Sequence, residues 1–219
     1  MTALRRLPKM LSTLRREVKQ WKQPIVGTFA QGENALFKVL VSTVLSLRTK
    51  DQTTQEASHR LFRQAQTPEA LLKLDEKSIQ KLIFPVGFYH TKAKSLRRIS
   101  ELLLERHQGK VPDTLEELLA LPGVGRKTAN LVVTVGYGKP GICVDTHVHR
   151  ISNRWGLVRT RTPEETEMAL RKILPKRYWI EFNDLLVCFG QNLCQPVSPH
   201  CSRCKIQKYC PRIGVSRSR

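Results

Sequence analysis

Leu121-Pro122-Gly123-Val124-Gly125-Arg126-Lys127-Thr128-Ala129-Asn130 is the stretch from which the rest of the chain is best read. A helix-forming segment runs up to Leu121, a turn with two glycines follows, and a second helix is predicted from near Arg126. Glycine permits positive φ and lets another backbone, or a phosphate, come close. The N–H groups that open a helix have no partner inside it and point outward, where the helix dipole favours an anion. Gly123, Val124, Gly125 and Arg126 are therefore candidates to grip a phosphate through the main chain. A plain helical corner that uses glycine for packing would be written the same way.

Outward from this turn, nearly every segment reads as helix. Thr114 and Glu117 form a capping box ahead of Leu115, Leu118 and Leu119. Leu36, Phe37, Leu40, Val41, Val44 and Leu45 make two adjacent apolar stripes, which predicts a central, buried helix. Thr67-Pro68 supplies a cap with proline at the first helical position, and Thr162-Pro163-Glu164-Glu165 repeats the device for a helix that ends before Pro175. Leu96, Ile99 and Leu103 mark a helix that stops near Gly109, and Tyr178 to Leu193 a last long one. Leu4, Leu7, Leu11, Leu14 and Val18 predict an amphipathic helix at the N-terminus. Only the valine-rich Leu131–Val135 hints at a strand, and a buried helix gives the same signal. The expected fold class is all-α, without internal repeats.

Composition narrows the function. The chain has 219 residues, with room for one large domain or two small ones, and 40% hydrophobic content excludes a wholly disordered chain. No apolar run approaches the ~18 residues of a membrane span. Lys and Arg number 38 against 18 Asp and Glu, a net charge of +20, and so large an excess points to a polyanionic partner, nucleic acid first. The charge gathers at the ends. Arg5, Arg6, Lys9, Arg15, Arg16, Lys19 and Lys22 face a single Glu17, and from Gln191 to Arg219 there is no acidic residue. The first sixteen residues lack acids, as a transit peptide would, but they have no signal-peptide core and repeat at helical spacing. A mature helix and a cytoplasmic protein are expected.

Four of the six cysteines, Cys194, Cys201, Cys204 and Cys210, fall within seventeen residues. Without a secretory signal, a metal site is more natural than a disulfide framework. Structural zinc usually presents two C-x2-C pairs, whereas only one stands here, and iron–sulfur clusters also take four cysteine ligands. Cys143 and Cys188 are left over and are expected to be buried apolar thiols. Lys127 falls in the first turn of the predicted second helix, where the dipole disfavours a cation. A lysine there is a candidate amine nucleophile, able to form an imine with a carbonyl-level carbon. Asp145 is placed to cap a helix carrying Val148, Ile151 and Trp155. His147 and His149, two apart on that helix, would point to different faces and are not read as a metal pair.

The hairpin, Val144-Asp145-Thr146-His147 at its distance downstream, and Cys194-x6-Cys201-x2-Cys204-x5-Cys210 together resemble the endonuclease III family of DNA base-excision glycosylases. The resemblance runs from about Glu33 to Cys210. It implies a two-lobed helix-hairpin-helix glycosylase fold: a six-helix barrel at 29–139, and an iron–sulfur cluster domain from 1–28 and 140–219. It implies excision of oxidised pyrimidines with AP-lyase activity, Lys127 as the nucleophile at C1′ and Asp145 as its catalytic carboxylate. It implies a [4Fe–4S] cluster on the four cysteines, with Arg203, Lys205 and Lys208 on the loops between them meeting phosphate. The implied partner is double-stranded DNA with a damaged base or abasic site, bound by a monomer at the nucleoid and not by a membrane protein. Arg48 and Phe88 stand where the family inserts side chains into the duplex. The family's best-studied branch has glutamine at the position of Arg48, and arginine reads guanine edges and phosphates differently from an amide. A monofunctional mismatch or adenine glycosylase, and a non-catalytic iron–sulfur DNA-binding protein, are the alternatives. Lys127 together with Asp145 argues against the second.

Overall fold

The computed structural model describes residues 3–21 and 25–219. Lys22, counted among the basic residues of the N-terminal segment, lies outside them. Among the described residues the structure is helical throughout, with no strand. The chain divides into two compact units, Met1–Pro24 with Pro140–Arg219, and Ile25–Lys139.

The first unit opens with α1 (Ala3–Glu17), which buries Leu7, Met10, Leu11 and Leu14 along one stripe. Leu4, placed on that stripe from the sequence, is instead 39% exposed. It lies in the first turn of α1.

The second unit follows. Its α2 (Ala35–Ser46) is buried on nearly every side, with Phe37, Val39, Leu40, Val41, Val44 and Leu45 all enclosed. Ser42 and Thr43 share that burial by donating their hydroxyls back to the Val39 carbonyl, at 3.1 and 2.6 Å. Around α2 lie α3 (Asp51–Phe62), α4 (Pro68–Leu72), α5 (Glu76–Ile83) and α6 (Tyr89–His107). The start of α4 is fixed by Thr67, whose hydroxyl accepts the Ala70 N–H at 3.2 Å, and that of α5 by Asp75, which accepts the Ser78 N–H at 2.7 Å. Arg97 donates to the Leu72 and Leu74 carbonyls, and Arg60 to those of Leu82 and Phe84, so two arginines satisfy carbonyls that a helix end leaves open. Left-handed Gln108 and Gly109 end α6.

Two short helices, α7 (Leu115–Leu119) and α8 (Arg126–Leu131), pack on each other across the glycine turn, and α8 packs on α2. Thr114 caps α7 as expected, accepting the Glu117 N–H at 3.3 Å. The ambiguous valine-rich stretch is neither strand nor regular α-helix. From Val132 to Gly136 the chain widens into a π-helical turn packed on α2, and Thr134 donates its hydroxyl back to the Asn130 carbonyl at 2.8 Å.

The chain then returns to the first unit with α9 (Thr146–Arg154), α10 (Pro163–Ile173) and α11 (Trp179–Asn192). Thr162 accepts the Glu165 N–H at 3.1 Å, and the Glu165 carboxylate takes the Arg161 N–H at 2.8 Å. Trp155, Phe182, Leu186 and Phe189 from α9 to α11 share a core with the buried stripe of α1. Cys143 and Cys188 are both buried, at 1% and 0% exposure.

Candidate functional site

In the Ile25–Lys139 unit the hairpin leaves α7 at Leu121 and turns through Gly123 at φ +77°, a conformation that L side chains rarely adopt. Val124 is buried beneath the turn and donates its N–H to the Leu121 carbonyl at 3.2 Å. Gly125 is extended (φ −92°, ψ 177°) and exposed, and Arg126 and Lys127 are half-buried in the first turn of α8. The loop therefore rests on Val124 and turns the two glycines toward solvent.

A second exposed feature of this unit is built from two loops. Arg48 lies just after α2 and Phe88 just before α6, both left-handed at φ +52° and +58°. Their side chains meet, with the guanidinium carbon 5.5 Å from the ring centroid. Phe88 is 61% exposed, so it is no core residue. An opening of about 710 Å³ lies beside the pair, lined by Val44, Leu47, Thr91, Lys92, Ser95 and Gly123 as well. It connects the base of the pair to the hairpin.

In the other unit, Asp145 caps α9. One carboxylate oxygen accepts the N–H groups of both His147 and Val148, at 2.8 and 2.9 Å, and the residue stays half-exposed. His147 turns its Nδ1 toward the Arg150 guanidinium at 3.1 Å, while the Nδ1 of His149 lies 2.7 Å from the Thr166 hydroxyl.

Cys194, Cys201, Cys204 and Cys210 all line one cavity with an empty volume of ≈ 380 Å³. Burial pushes the Cys204 thiol up to about 11, and the neighbouring sulfurs of Cys194, Cys210 and Cys201 push the same way. Four thiolates gathered there are stable only around a cation, so the donor set fits a thiolate-bound metal group. Among the described residues no three His, Cys, Asp or Glu side chains stand close enough to share a single bare ion.

Arg154, which no sequence motif marks, completes the arrangement. Buried on α9, it donates to the Cys194 sulfur at 3.3 Å and to the carbonyls of Gln195 and Pro196, each at 2.7 Å. Its signal lay in its spacing: it follows Ile151 by three residues, on the apolar face of the helix. Arg203, Lys205 and Lys208 are exposed on the cysteine loops. Arg203 and Lys205 share the lining of a groove with Glu17, Gln20 and Trp21, so the two basic ends of the chain meet.

Residues 41–176 match the family described as HhH-GPD superfamily base excision DNA repair protein. The endonuclease III of Thermotoga maritima is 49% identical over 195 residues, covering 88% of this chain and 92% of that one. The chain belongs to the endonuclease III family. It is a base excision repair DNA glycosylase. An endonuclease III homologue of Arabidopsis thaliana, chloroplastic, is 47% identical over 84% of this chain, which spans half of that protein's length. The solved structure of a trapped endonuclease III–DNA covalent intermediate, an estranged-adenine complex, superposes with a TM-score of 0.85 at 31% identity over 97% of each chain. No described helix is long and apolar enough to cross a membrane.

Proposed function

We propose that this endonuclease III relative excises oxidised pyrimidines from double-stranded DNA and then cleaves the strand as an AP lyase, with Lys127 as nucleophile. The observation that carries the reading is Lys127 at the foot of an exposed, glycine-turned hairpin whose main chain faces solvent, in a family whose DNA complex has been trapped covalently.

The chemistry follows from an amine at that position. The neutral amine of Lys127 attacks C1′ of the damaged nucleotide, the N-glycosidic bond breaks, and the base departs with its electron pair. Ring opening gives an imine between Nζ and C1′. The imine acidifies the C2′ proton, and loss of that proton expels the 3′ phosphate oxygen by β-elimination. Water then hydrolyses the imine and restores the lysine. A carboxylate that takes the lysine proton and stabilises positive charge on the sugar lowers both early barriers, and Asp145 is the residue to which we assign this role.

Gly123, Val124, Gly125 and Arg126 hold a phosphate, Arg48 and Phe88 enter the duplex where the nucleotide leaves it, and Arg203, Lys205 and Lys208 meet the backbone farther along. Cys194, Cys201, Cys204 and Cys210 hold a [4Fe–4S] cluster, which ties together a loop segment that has little core of its own. The enzyme acts as a monomer on cytoplasmic, nucleoid DNA.

The test is product analysis on a duplex carrying one oxidised pyrimidine. Strand cleavage without alkali is expected. Abasic sites that break only on alkali treatment would make the protein a monofunctional glycosylase, and an untouched duplex would leave a binder.

A further inference from the structure

Lys92 is buried at 7% exposure, although lysine is among the residues least often enclosed. Its Nζ donates to the Leu45 carbonyl at 2.9 Å, the Leu47 carbonyl at 2.5 Å and the Thr49 hydroxyl at 3.3 Å. The two carbonyls belong to the end of α2, where backbone acceptors have lost their helical partners, and an ammonium brings three donors to one point. Thr49 Oγ1 in turn accepts the N–H of Gly87 at 3.2 Å, in the loop that leads into Lys92's own helix. The approach is so close that a Cβ on Gly87 would stand 2.7 Å from the Arg48 carbonyl oxygen. Lys92, Thr49 and Gly87 thus fasten the loop after α2 to the loop before α6.

The fastening is costly, which makes it informative. Burial lowers the Lys92 pKa to about 8, and an apolar side chain would fill the space without that penalty. Arg48 and Phe88 at the two tips are non-glycine residues held left-handed, and such conformations persist only where the surroundings over-determine them. Both tips are exposed, and they stack on each other. We infer that Lys92 is a positioning residue: it locks the two loops so that Arg48 and Phe88 enter the duplex as one stacked unit rather than as two independent side chains. This rests on the reading that those two side chains enter DNA.

The experiment is a set of variants, K92M, T49A and T49S, each made in the native chain and in the R48A/F88A background. Base release from a duplex with one oxidised pyrimidine is measured beside amide hydrogen exchange at Gly87 without DNA. In the native chain, K92M and T49A are expected to slow base release at least about tenfold. T49S, which keeps the hydroxyl, rescues it. In the background lacking both tips the same changes cost nothing further, and the Gly87 amide exchanges faster in K92M. A merely structural role would give the same fold-loss in both backgrounds, and that result overturns the inference, as does native base release in K92M. Should K92M not fold, T49A against T49S carries the same comparison. If the native chain releases no base at all, it is the proposed function that fails, while Gly87 exchange still decides whether the clamp exists.

Discussion

Asp145 does two separable things, and one substitution tells them apart. Its carboxylate closes the start of α9 by accepting two N–H groups, and in the proposed reaction it also bears the charge that the sugar needs. Asparagine caps a helix about as well as aspartate, whereas alanine forfeits ~1 kcal/mol. D145N should therefore melt with the native protein and D145A below it, while base removal falls by about a hundredfold or more in both. Thermal melting beside single-turnover excision checks this, and an Asn variant that still excises would reduce Asp145 to a cap. The cap was legible because capping is decided within four residues of sequence. Lys92 was not: its burial depends on carbonyls some forty-five residues away, and a lysine among polar neighbours reads as solvated surface. Phe88 lay between, since an aromatic in a loop reads equally well as core or as an exposed tip until its backbone conformation is known.

Helix starts were the easiest elements to read, because Thr67, Thr114 and Thr162 each declare themselves locally and each accepts the expected N–H. The π-helical turn after Leu131 was hidden. Valine periodicity cannot separate a strand from a buried helix, and the widened turn packs against α2, a partner nearly a hundred residues earlier. The hairpin offers a prediction at this scale, because its two glycines differ. Gly123 is left-handed, so G123A strains the turn and should lower both melting temperature and DNA affinity. Gly125 is extended with nothing within 4 Å of the place a Cβ would occupy, so G125A should fold and melt normally. If a phosphate comes against that backbone, G125A still weakens binding to a duplex with an abasic-site analogue, by about tenfold. Native affinity in G125A would remove the hairpin from the DNA contact.

For the whole molecule, charge and composition named the partner class before any motif did, since +20 on 219 residues demands a polyanion. The cysteine spacing pointed to a thiolate site, and the structure places the four cysteines on the lining of one cavity, with Arg154 against one sulfur. What composition could not reveal is that the first and last segments of the chain belong to one unit, because that depends on the long-range core shared by α1 and α11. The central claim, an imine formed by one particular lysine on DNA, has a direct readout. Borohydride reduction during reaction with a duplex carrying a single thymine glycol should leave a covalent protein–DNA complex with the native chain and none with K127A, whose DNA affinity stays within about tenfold of native. A complex of undiminished yield with K127A, or abasic sites accumulating with no complex from the native chain, would contradict the assignment.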